Sequence, residues 1–137
     1  MSAKPLTSPF VGTWTYRSFI NNPDANVEFN DLAFAVATVK IKASAMEELT
    51  GTLGGPWGEL KLTGSTAYGN PYTVRFQGVG KVNDETWIYD YIGYLVPIWP
   101  NGVDQRPAIV GSVIRTVPHS KGKAAAGVVA SFIAVRQ

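Results

Sequence analysis

The chain has no cysteine and one histidine, His119. Without cysteine there is no disulfide framework and no thiolate metal or redox centre. A lone imidazole cannot supply the several His or Cys ligands on which transition-metal sites draw, so neither metal nor cofactor is expected. Charge is also scarce. Asp, Glu, Lys and Arg make up 16% of 137 residues, the formal net charge is +2, and the basic residues are scattered. A nucleic-acid surface needs a basic stripe, which this chain lacks. No apolar run approaches the length that spans a bilayer. The opening MSAKPLTSPF has one lysine and no apolar h-region, so it does not read as a secretory signal. The expectation is a cytoplasmic protein with neither a nucleic-acid nor a membrane partner. No Walker-type loop or Gly-x-Ser-x-Gly elbow occurs. GNPYTVRFQGVGK (69–81) has glycines but no following helix of the kind a dinucleotide turn requires.

What the chain has in quantity is apolar and aromatic residues, 45% in the set AVILMFWYC and 12% aromatic. They fall in runs of roughly 8 to 12 residues rich in Val, Ile, Thr, Phe, Tyr and Trp, parted by Gly, Pro, Asn or Asp, as in an all-β sandwich or barrel. Eight runs predict strands over 11–20, 31–43, 47–55, 57–68, 72–82, 85–96, 108–117 and 125–136. The Ala-rich second run could be helical. Its alternation of Phe34, Val36, Thr38 and Lys40 and its β-branched content argue for a strand, with a helical turn around Ala45–Glu48. Eight sequential strands on mostly short connections are most simply closed as one antiparallel up-and-down barrel, because closure removes exposed edges. A two-sheet sandwich is the alternative. Gly64, Gly78, Gly80, Gly93 and Gly111 suit the kinks that curve a sheet. Eight strands leave a lumen that side chains can fill or that holds one small ligand.

Gly12-x-Trp14 on the first strand and ELTGTLGG (48–55, with a Leu-Thr-Gly-Thr stretch) carry a resemblance to the calycin barrels, the group of lipocalins and avidins. The architecture is also that of allene oxide cyclase-type barrels, and the chain is similar to bacterial lipocalin-like proteins. The resemblance implies a calycin-like barrel with Trp14 packed across one end. It does not extend to the lipocalin disulfides or to an alignable avidin biotin site, and it leaves the ligand open.

If Trp14 points inward, period two also sends Gly12, Tyr16 and Ser18 inward and puts Thr13, Thr15 and Arg17 outside. Trp14 then plugs the core, and Tyr16 offers a hydroxyl to the lumen. Polar residues stranded mid-run are the other candidates: Arg75 and Gln77, Asp90, and Arg115. A charge facing the lumen must be paired, so Asp90 would meet Arg75 or Arg115. Facing outward, these residues are ordinary surface groups or an ion pair at a subunit interface. Parity leaves two sets for 85–96. Asp90 inward brings Ile88, Ile92 and Tyr94 with it, whereas Asp90 outward gives the lumen Trp87, Tyr89, Tyr91 and Leu95, the more natural core.

His119, between Pro118 and Ser120 in a polar loop, reads as a solvated residue. Trp99, set between Pro97 and Pro100 in a long connection, would gate or contact a ligand at the barrel mouth, or else seal the barrel or pack on a partner. Runs 85–96, 108–117 and 125–136 are apolar on both faces, so the outer one should meet another subunit, making a homo-oligomer. The function expected is binding of a small apolar or amphipathic ligand, with Trp14, Tyr16, Arg75, Asp90, Tyr94 and Arg115 as contacts. The alternatives are a cofactor-free cyclase or isomerase acting in the lumen, and a structural oligomer with a filled barrel.

Overall fold

A computed structural model describes residues 8–43 and 48–137. Eight strands follow one another around a closed barrel: β1 (Gly12–Ile20), β2 (Ala33–Ala43), β3 (Glu48–Gly55), β4 (Gly58–Ala67), β5 (Thr73–Val82), β6 (Glu85–Leu95), β7 (Ala108–Arg115) and β8 (Val129–Arg136). Each pairs antiparallel with its sequence neighbour, and β8 closes on β1 with Trp14 opposite Arg136 and Ile20 opposite Ala130. The sandwich alternative is excluded. No helix among the described residues is long and apolar enough to cross a membrane.

The turn chemistry shows why the order is so simple. Asn83 and Asp84 both have positive φ, 52° and 62°, the twisted two-residue hairpin that matches the twist of its flanking strands. Asn and Asp tolerate that conformation because their short side chains bond locally. The turn pairs Val82 with Glu85 and thereby sets the whole β5–β6 register.

Strand limits differ from the sequence reading by more than one residue in three places. Residues Phe29–Leu32 form a 3-10 turn that feeds β2, so Asp31 and Leu32 are not strand. β7 stops at Arg115, and β8 begins at Val129 rather than at residue 125. Between them the chain crosses the barrel end, and Gly127, at φ 87°, turns it back so that its N–H donates to the Arg115 carbonyl. The helical turn expected at Ala45–Glu48 lies outside the described residues except for Glu48, which starts β3.

Alternation places Trp14, Tyr16 and Ser18 inside, together with Val39, Ile41, Leu53, Leu60, Leu62, Phe76, Tyr89, Tyr91, Ile109, Val113 and Phe132. Gly111 is a point of close approach. A Cβ there would run into the carbonyl oxygen of Ile92 on β6, which is backbone and cannot swing aside. Gly111→Ala is therefore expected to lower stability by about 1–3 kcal/mol, as overpacking does, seen as a lower urea midpoint at constant m.

Candidate functional site

The two ends of the barrel are built differently. At the end where β1 begins, Trp14 is 0% exposed and its indole Nε1–H donates to the Phe10 carbonyl at 3.0 Å. Phe10, equally buried, packs edge-on against Tyr72 at 5.6 Å. The Arg136 guanidinium lies 5.1 Å from the Trp14 ring centroid and donates to the Pro9 and Val11 carbonyls. Stacked on this floor are Tyr16 and Phe132, with ring centroids 5.5 Å apart, and Tyr91 edge-on to both. This half is solid.

At the other end the lumen opens into a cavity of about 270 Å³. Tyr16 and Tyr91 form its base, and Leu53, Leu60 and Val113 its apolar wall. Trp57, from the β3–β4 turn, stacks on Trp87 of β6 at 5.5 Å, and Trp87 stacks on His119 at 3.7 Å, with interplanar angles of 14° for both pairs. The indole N–H groups of Trp57 and Trp87 are shielded from solvent and meet no acceptor among the described residues.

Polar groups gather on one side of this cavity. Arg115, at the last residue of β7, points inward by the same parity as Ile109 and Val113. Its Nε–H donates to the Tyr89 hydroxyl at 2.9 Å and its Nη1 to the Ala125 carbonyl at 3.1 Å, while the guanidinium lies over the Phe34 ring. Nη2 has no acceptor among the described residues, and no carboxylate there hydrogen-bonds the guanidinium.

The Tyr89 oxygen is also 2.6 Å from His119 Nε2, and His119 Nδ1 is 2.8 Å from Ser120 Oγ. Arginine can only donate, so the phenol accepts from Arg115, and we assign its own hydrogen to Nε2. The imidazole then carries its proton on Nδ1 and donates to Ser120 Oγ. This assignment is a neutral histidine linked in a chain Arg115–Tyr89–His119–Ser120.

The loop that delivers His119 is held from below. Both carboxylate oxygens of Glu85 accept backbone hydrogens, from Ser120 and Lys121 at 3.0 and 2.9 Å. Ser120, Lys121 and Gly122 all have positive φ, which brings those two amides round to the same acid. A bridge between His119 and Ala124 closes the loop.

Burial is the chief cause holding His119 below its ordinary 6.5, Arg115 adds to it, and Glu85 opposes. The folded protein thus binds this proton less readily than the unfolded chain. The stabilisation it reflects is complete above 6.5 and is lost as pH falls below that value toward the folded-state pKa. Urea midpoints measured from about pH 7 down to about pH 5 should decline, and His119→Gln should remove that part of the slope. Burial likewise pushes the Tyr16 and Tyr91 phenols well above their usual range, so both remain protonated donors at neutral pH.

The structure divides the residues singled out from the sequence. Trp14 lies beneath the cavity, within the floor, while Tyr16 and Arg115 line the cavity itself. Arg75, Asp90 and Tyr94 are on the outer surface. Asp90 accepts from Gln77 Nε2 at 3.0 Å, and Arg75 stands opposite Ile92, so neither expected lumen pairing of Asp90 forms. Tyr94 is 41% exposed on the same outer face. This is the second of the two parity sets, with Tyr89 and Tyr91 inside.

His119 is not a solvated loop residue. It is 6% exposed, held by Trp87 and Tyr89. Trp99 does not seal the barrel. It is 73% exposed, its backbone braced by both polar atoms of the Gln105 amide. Phe34 and Trp57 were not singled out from the sequence as site residues. Trp57 follows a Gly-Gly-Pro turn, and that position at a barrel rim was the available signal. Among the described residues no three His, Cys, Asp or Glu side chains gather as a metal site would require.

The fold and site define a closed eight-stranded up-and-down barrel, plugged at one end and carrying an aromatic cavity with a cationic wall at the other. No family model, curated protein or solved structure gives a significant match to the chain.

Proposed function

We propose that the barrel is a non-catalytic binder of a compact amphipathic molecule, with its apolar body in the cavity and an anionic head on Arg115. One observation carries this reading. A guanidinium with an uncommitted Nη2 stands at the wall of a largely apolar, aromatic cavity, with no carboxylate hydrogen-bonded to it among the described residues. Charge-assisted hydrogen bonds to a carboxylate suit that fork, and the lower dielectric of a half-closed cavity strengthens them. The volume, about 270 Å³, lies just below the usual range for ligand pockets, about 300–1,000 Å³, which favours one or two fused rings over a long chain.

The test is a series of probes that share one body. Calorimetric titration with naphthoate, naphthamide and naphthylmethylamine should rank the carboxylate first, the neutral amide at least tenfold weaker and the amine weakest. Failure of all three to bind, or equal binding of acid and amine, refutes the proposal.

A second reading, a cofactor-free isomerase or cyclase, draws on the Tyr89 hydroxyl held between Arg115 and His119. Such a chain can give a proton to a bound carbonyl and take one back through the imidazole. Deuterium uptake from heavy water into a cavity-bound ketone, lost in Tyr89→Phe, would favour it. The open cavity lends the filled-barrel alternative no support.

A further inference from the structure

The outside of the barrel has two unlike halves. From β2 to β5 the outward positions include Lys40, Lys42, Glu59, Lys61, Arg75 and Lys81, all exposed. From β6 to β8 the outward positions are mostly Ile, Val and Tyr, with Asp90 their one charge. Registration makes this a continuous surface. Tyr94 lies beside Val110 and Val110 beside Ile133 in one row, and Asp90, Ile114 and Val129 are adjacent in another. Ile92 and Val129 are 45% and 48% exposed. The fold does not require an apolar exterior, since the first half manages without one. Contiguous apolar surface of this kind on a soluble domain marks an interaction site.

The polar groups at the margin indicate what covers it. A groove of about 630 Å³ on this face is lined by Arg75, Gln77, Asp90, Ile92, Ile114 and Val129. It holds one cation and one anion that do not meet each other, because Asp90 bonds Gln77 and Arg75 faces Ile92. A two-fold interface brings the same patch together from both sides, so residue i of one copy meets j of the other and the reverse. A cation and an acid on one patch satisfy that rule without any outside partner.

We propose that the outer face of β6–β8 is a homodimer interface, in which the apolar rows of two copies meet and Arg75 of each copy pairs with Asp90 of the other. The exposed lysines on the opposite half remain in water.

Sedimentation equilibrium of the full chain at micromolar concentration tests this. Wild type is expected at twice the chain mass. Ile92→Glu and Asp90→Arg should each weaken self-association at least tenfold while keeping the wild-type far-UV spectrum. The double exchange Arg75→Asp with Asp90→Arg should restore the dimer. Where Ile92→Glu does not fold, Val129→Glu on the neighbouring row serves instead. A wild type that sediments at the chain mass, a dimer indifferent to Ile92→Glu, or a monomer that floats with phosphatidylcholine vesicles overturns the interface. A doubly exchanged protein that stays monomeric overturns the charge pairing.

Discussion

Trp14→Ala is expected to destabilise the barrel by about 3–5 kcal/mol, the range for truncating a fully buried large aromatic. The figure belongs at the upper end here, because the indole does three things at once. It fills the β1 end of the lumen at 0% exposure, donates Nε1–H to the Phe10 carbonyl, and lies under the Arg136 guanidinium. Removing it leaves a void, an unpartnered buried carbonyl and a cation above an empty space. Among the described residues before Trp14, Phe10 alone is equally buried, so its anchorage should loosen as well. Urea unfolding should show the loss as a lower midpoint. Trp14→Phe keeps much of the volume but not the donor and should fall between the two proteins. If Trp14→Ala costs under about 1 kcal/mol, the floor is not what closes this end.

Arg115→Met should lower the affinity for naphthoate by about 10- to 100-fold, the equivalent of the roughly 1.5–3 kcal/mol that hydrogen bonds to a charged group contribute. Methionine keeps an unbranched apolar stem against Phe34, so the fold is expected to survive. Naphthamide is the control, because a neutral head gains little from the guanidinium and its affinity should barely move. Tyr89→Phe separates positioning from contact. It removes the oxygen that receives Arg115 Nε–H but leaves the cation in place, so naphthoate binding should fall less than in Arg115→Met. Equal losses for naphthoate and naphthamide in Arg115→Met would mean that the substitution had disturbed the cavity, and the head-group assignment would fail.

The barrel was legible because its signals are local. Alternation along β1 placed Trp14, Tyr16 and Ser18 on one face, and the Asn83–Asp84 turn marked a tight hairpin. The polar residues were harder, although part of the answer was present in the chain. A two-residue turn that pairs Val82 with Glu85 also pairs Gln77 with Asp90 and Arg75 with Ile92 when counted back along both strands. That count, together with the choice of Tyr89 and Tyr91 as core, already sends Arg75 and Asp90 outside. Arg115 follows Val113 and Ile109 by the same alternation and so belongs inside. His119 could not be found this way. Its burial comes from a loop doubling back onto Trp87 and Tyr89, which lie 32 and 30 positions earlier, and from a clamp by Glu85. No period of two reaches across such a connection.

The solid floor also has a kinetic consequence. With Trp14, Phe10 and Arg136 filling one end, the doorway of the cavity lies at the other, and on the proposed function a guest would enter and leave there. The threshold of that doorway includes the His119 loop, fastened to the barrel through the two oxygens of Glu85. On the proposed binding function, a guest's residence time would depend on how firmly one acid grips two amides, separately from the side chains that choose the guest.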